Sequence, residues 1–276
     1  MNRYLIGLCA LLVTACGGGD GGAPKPASTS STKSKADTPA TTADTGKPAE
    51  KPTKAASGDA QVWADSMGTA TVSGKVKFNG QAPSPNAIAM DSDPKCVATG
   101  ENLEETVIVT DGGLANVVVS VTAGLDGYKF GKGAGTVELT QKGCRYIPHV
   151  LAMQAGQKLE ISNGDDTVHN VHTYSKRNQA FNQAQPAGAD AIVKDMKRKD
   201  KLFKIGCDMH KWMGCYVAVF DHHFFTVSDG NGNFTLPKLP AGTYTLTAEH
   251  ETLGQSTTEV TIADGGTATA EFNFGT

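Results

Sequence analysis

Seven residues, Cys207-x-x-His210-x-x-Met213, bring a thiol, an imidazole and a thioether into reach of one ion if the chain turns there. Soft sulfur donors together with imidazole suit copper in both of its oxidation states. A plane of one thiolate and two imidazoles with a weak thioether above it is the arrangement of copper electron-transfer sites. The segment supplies one imidazole, so a second must come from elsewhere. His169 is the candidate, in the loop Gly164–His172 that follows the apolar alternation of Lys158–Asn163. Each residue alone has an ordinary explanation: Cys207 as a disulfide partner, His210 as a surface histidine, Met213 as core packing beside Trp212. Only the combination points to a metal. His172 is set aside, because residues three apart on an extended strand point to opposite faces; it is read as a surface or second-site residue. His149, His222, His223 and His250 have no partner at ligand spacing.

The pair His169-Asn170, followed by Cys207, His210 and Met213 on one later loop, resembles the cupredoxin family. That resemblance covers roughly residues 135–222. It implies His169 as first ligand, Cys207 as thiolate, His210 as second imidazole and Met213 as axial thioether. Asn170 would brace the loop and the thiolate. It also implies a Greek-key β-sandwich holding type 1 copper and one-electron transfer rather than catalysis. No Gly-x-Ser-x-Gly or His-Glu-x-x-His motif is present, so hydrolytic chemistry is not expected.

The elements that must position these residues read as strands. Short runs rich in Val and Thr recur between Gly, Asp, Asn and Pro clusters, the texture of an all-β protein. Thr69–Phe78 alternates and ends in the turn Asn79-Gly80. Thr106–Val109, Ala115–Val121, Phe224–Val227, Asn233–Leu236, Thr243–Glu249, Ser256–Ile262 and Thr267–Phe274 continue the pattern. The run Asp229–Leu246, "DGNGNFTLPKLPAGTYTL", resembles the carboxypeptidase regulatory-like (prealbumin or transthyretin-like) β-sandwich, and the opening strand Gly68–Val76 resembles the first strand of that family. The two parts are far apart in sequence. The expectation is therefore one sandwich from residues 67–124 and 224–276, interrupted by a copper domain at 125–223.

The N-terminus carries a different message. Arg3 precedes a short apolar run, Tyr4–Val13, which ends in Leu12-Val13-Thr14-Ala15-Cys16. This resembles the lipobox of bacterial lipoproteins, implying a signal peptide at 1–15 and lipid on Cys16. Gly17 after the cysteine implies sorting to the outer membrane, facing the periplasm. Residues 16–66 have almost no large apolar side chain and are expected to be a disordered tether. Such a tether spans roughly 40 Å root-mean-square.

With Cys9 in the leader and Cys16 lipidated, Cys96, Cys144, Cys207 and Cys215 remain in an oxidising compartment. Four cysteines allow three pairings. The preferred one joins Cys96 to Cys144 and leaves Cys207 for copper; the rival, Cys207 with Cys215, abolishes the site. A net charge of -3 gives no reason to expect nucleic acid. The run Lys194–Lys201 reads either as a solvated loop or, around Lys197, Arg198 and Lys199, as a patch that steers an acidic redox partner. Three functions follow: a membrane-anchored copper electron carrier, a periplasmic copper buffer using the same ligands, or a metal-free structural module.

Overall fold

In the computed structural model of the chain, residues 60–100 and 102–275 are described. The expected leader, the lipidation site Cys16 and most of the expected tether lie outside these residues. The described chain is built almost wholly of strands, with a single one-turn α-helix, Pro94–Val97, and one 3₁₀ turn, Asp65–Met67.

Four larger sheets enclose two cores. Strands Thr71–Asn79 and Thr267–Gly275 pair in parallel along their full length, though nearly the whole described chain lies between them. With Asn233–Thr235, Gly113–Leu114 and Val109–Thr110 they form a five-stranded sheet. It faces a second sheet of Phe225–Val227, Val118–Ala123, Gly242–His250 and Gly254–Ile262. Between them lie Val72, Val76, Val119, Val121, Phe224, Leu246, Phe272 and their neighbours. This is the outer sandwich. Gly74 shows how closely its central strands approach: a Cβ there would lie 1.8 Å from the Ala270 carbonyl oxygen.

The middle sandwich uses strands between residues 136 and 220. One sheet runs Ile192–Asp195, Lys158–Asn163, Thr136–Gln141, Tyr146–Ile147; the other runs Asn182–Gln185, His169–Thr173, Asp200–Gly206, Gly214–Phe220, Val150–Gln154. Lys158–Asn163 forms for the reason its sequence suggests. Leu159 and Ile161 point into the core and are fully buried, while Lys158 points to water. The two sandwiches meet across a small apolar contact in which Val118, Val150 and Ala218 are buried.

Three expectations need correction. The tether ends earlier than residue 66: Gln61–Val62 pairs with Tyr128–Lys129, and the Trp63 ring packs edge-on against Phe224 at 5.0 Å. One large aromatic gives an otherwise polar stretch enough apolar surface to dock. The loop expected from Gly164 to His172 is partly strand, because His169–Thr173 pairs on both sides. The segment around the one-turn helix does not pack only with the outer sandwich, since Met90 and Cys96 sit in the middle core.

Cys96 is bonded to Cys144, a link between residues 48 positions apart. Cys207 and Cys215 are free and buried. A crosslink of this length restricts the unfolded chain, so replacing both Cys96 and Cys144 by serine is expected to cost about 2–4 kcal/mol. Urea denaturation of the double variant checks this.

Candidate metal centre

The centre lies at one end of the middle sandwich, where two strands deliver its donors. His169 opens strand His169–Thr173, and Cys207 directly follows strand Asp200–Gly206. The chain then turns back into Gly214–Phe220. The Met213 amide donates to the His210 carbonyl at 2.8 Å and the Cys207 amide to the Met213 carbonyl at 3.2 Å. This tight turn places Cys207, His210 and Met213 in one short loop. All four sequence-predicted residues are buried, with relative exposures of 0% for His169, 3% for Cys207, 4% for His210 and 1% for Met213.

His169 Nδ1 and His210 Nδ1 face each other at 2.9 Å, and Cys207 Sγ lies 3.9 Å from His210 Nδ1. Ligand atoms of His169, Cys207 and His210 all lie within 4.8 Å of one another. Met213 packs in the same core. Cys207 Sγ accepts from the backbone amides of Asn170 and His210, each at 3.4 Å, which fixes the sulfur's position. The Asn170 side chain holds the loop from the other side by accepting from the Asp208 amide.

Each histidine is held at its far nitrogen by a carboxylate. His169 Nε2 is 2.9 Å from Asp165 Oδ2, and His210 Nε2 is 3.2 Å from Asp93 Oδ2. An ionised carboxylate only accepts, so each Nε2 carries a hydrogen, and the ring atom turned toward the other histidine and the sulfur is Nδ1. The two Nδ1 atoms at 2.9 Å and the Cys207 sulfur converge on one point, where either a proton shared between the rings or a metal ion joins them. The donor set therefore fits a soft or borderline metal ion, and carboxylate bracing of imidazole ligands is the usual support for one.

The carboxylates are themselves fixed. The Gly143 and Cys144 amides donate to Asp165 Oδ1 and Oδ2, both at 2.8 Å. Both residues have positive φ, 63° and 55°, which aims consecutive N–H groups into one anion-binding nest. Burial alone would raise the Asp165 carboxyl; the hydrogen bonds from Cys144, His169 and Gly143 outweigh it and hold it below the ordinary range. Burial lowers His169, against the opposing pull of Asp165, so its ring stays neutral at pH 7. Asp93 caps the helix Pro94–Val97 through the Lys95 amide at 2.8 Å and accepts from the Thr167 hydroxyl at 2.8 Å. Those bonds, Thr167 first, lower its carboxyl.

Asp93 and Asp165 were missed by sequence reasoning. Asp165 stands four residues before His169, a spacing that could have drawn attention; Asp93 lies 117 positions from His210 and carries no local signal. His172 lies on the outer side of its strand and meets Asp208 rather than the centre. The basic run is remote: Lys197, Arg198 and Lys199 precede Asp200, at the opposite end of a seven-residue strand from Cys207. The strand puts about 20 Å between them.

Residues 214–275 match the family profile of the carboxypeptidase regulatory-like domain. The match begins in strand Gly214–Phe220 of the middle sandwich and continues through the outer one. No curated protein matches the chain. Among solved structures, the chain is weakly similar to a purple cupredoxin from Nitrosopumilus maritimus (18% identity over 30% of this chain and 97% of that one, TM-score 0.26). It is similar to a reduced mutant form of amicyanin (18% identity, 32% and 84%, TM-score 0.28). It is also similar to a copper-containing nitrite reductase from Thermus scotoductus SA-01 (15% identity, 31% and 22%, TM-score 0.29). The chain spans about a fifth of that reductase.

Proposed function

We propose that this chain is a type 1 copper protein that carries single electrons. His169, Cys207 and His210 would hold the ion, with Met213 as a further, weaker donor. The observation that carries the reading is the facing pair of Nδ1 atoms beside the Cys207 sulfur, each ring fixed at Nε2 by a carboxylate. Copper bound there supplies a one-electron couple. The protein's part is to keep the donors in place during the change of charge. The Asp93 and Asp165 hydrogen bonds fix the rings, and the two backbone N–H groups that donate to Cys207 Sγ fix the sulfur.

Burial of all four side chains favours a carrier over a buffer, because a chelator in solution does not reach the ion directly. It also favours a carrier over an enzyme, since protein donors fill the positions a substrate would need. We propose that the protein sits at the periplasmic face of the outer membrane, anchored by lipid on Cys16 and reaching into the periplasm on its tether. An acidic redox partner would be steered by Lys197, Arg198 and Lys199 and would exchange electrons at another face.

The test is a reductive titration of the full chain loaded with copper. One electron per chain and slow loss of copper to a chelator support the carrier. Copper removed within the mixing time assigns buffering instead, and a chain that takes up no copper leaves the metal-free structural module.

A further inference from the structure

The residue set aside on strand geometry, His172, has partners of its own. Its Nδ1 lies 3.1 and 3.2 Å from the two Asp208 carboxylate oxygens and 3.2 Å from the Tyr174 hydroxyl oxygen. A charge-assisted N–H···O bond settles near 2.7–2.9 Å, and one N–H cannot serve three oxygens well. Two donors each about 2.1 Å from one cation, at a right angle, lie about 3.0 Å apart. His172, Asp208 and Tyr174 are thus hydrogen-bonded to one another, and the same spacing of one nitrogen and three oxygens is that of neighbours in a coordination shell.

The groups are held ready. The His172 ring stacks on Tyr174 with centroids 4.3 Å apart. Asn182 Nδ2 donates to Asp208 Oδ2 at 2.7 Å and fixes the carboxylate. His172 and Asp208 are 31% and 38% exposed, so an ion reaches them from solvent. One cation competes: Lys211 Nζ is 3.8 Å from Asp208 Oδ1, but that side chain is 78% exposed and can swing away. Asp208 also adjoins Cys207 in the chain. Its amide donates to the Asn170 side chain, and the Asn170 amide donates to Cys207 Sγ. One layer of loop separates the two places.

We propose that His172 and Asp208, with the Tyr174 oxygen beside them, form a second, surface site for divalent copper through which the buried centre is filled. The filling role rests on the copper reading above; the surface site does not. One imidazole nitrogen with carboxylate and phenol oxygens suits the tetragonal N,O geometry of Cu(II).

The test adds Cu(II) alone to the full chain and counts copper after equilibrium dialysis, with electron paramagnetic resonance to read the ligands. The native chain is expected to hold two copper ions, one with a nitrogen-and-oxygen signal. His172→Ala and Asp208→Asn are each expected to hold one and to lose that signal. The visible band of the buried centre should then reach the same height about ten-fold more slowly. Equal copper counts in the native chain and both variants overturn the surface site. An unchanged rate of band growth, with the second copper lost, overturns the filling role. A chain with no visible band but one N,O-bound copper that His172→Ala removes keeps the surface site and sinks the buried copper reading.

Discussion

Cys207→Ser is expected to abolish the intense visible band that the proposed copper site would give the native chain with Cu(II), while leaving the fold in place. Such a band would arise from charge transfer between sulfur and copper, and a hydroxyl oxygen does not supply it. In the native chain, copper at about a thousand times its Kd adds about 4 kcal/mol to the free energy of unfolding. The serine variant should lose most of that gain. The apo forms should differ by only about 1 kcal/mol. The cost is small because the Asn170 and His210 amides that donate to Cys207 Sγ can donate to a serine oxygen instead. Visible spectra and thermal unfolding with and without copper check both halves. A band that survives the substitution places the chromophore elsewhere.

Asp165→Ala is the second large effect, and it acts through positioning. The carboxylate receives His169 Nε2 and the amides of Gly143 and Cys144, and its side chain is only 8% exposed. Alanine leaves three donors without a partner at once, two of them on the buried residues Cys144 and His169. The expected loss of apo stability is about 3–5 kcal/mol. With the His169 ring no longer held, copper affinity should also fall about 10–100-fold. The pH dependence follows from the sign of the shift. The Asp165 carboxyl is held below its ordinary value of 3.8 in the folded protein. Its contribution is therefore complete above that value and lost as pH falls through the lower, folded one. The stability gap between native and Asp165→Ala should be constant from neutrality to about pH 5 and narrow in more acid solution. Urea denaturation across that range measures it. A gap that is flat down to the acid limit would contradict the role given to the ionised carboxylate.

Much of this architecture was legible wherever a residue's role is decided by its neighbours in sequence. Lys158–Asn163 alternates because one of its faces is buried, and the strand found has the bounds read from the alternation. The long outer strands Gly242–His250, Gly254–Ile262 and Thr267–Gly275 extend the expected ones by one or two residues at an end. Asn182–Gln185 and Ile192–Asp195 were not anticipated. Each is a short strand at the margin of its sheet, so its side chains carry little apolar alternation.

The metal centre divides in the same way. His169, Cys207, His210 and Met213 announce themselves by type and spacing. What holds them does not. Asp93 reaches His210 from a helix cap in another part of the chain, and the nest around Asp165 depends on positive φ at Gly143 and Cys144. Neither a helix cap of one turn nor a non-glycine left-handed residue leaves a mark that sequence pattern can read. Trp63 makes the same point about boundaries: the composition around it is that of a tether, yet its ring lies against Tyr128, Phe130 and Phe224.

In the proposed centre one sulfur and two imidazoles share a single copper ion. X-ray absorption at the copper edge, on the full chain carrying one equivalent of copper, reads that ligand set directly. One short sulfur distance with two nitrogen neighbours, the sulfur lost in Cys207→Ser, is the predicted result. A shell of nitrogen and oxygen alone in the native chain contradicts it.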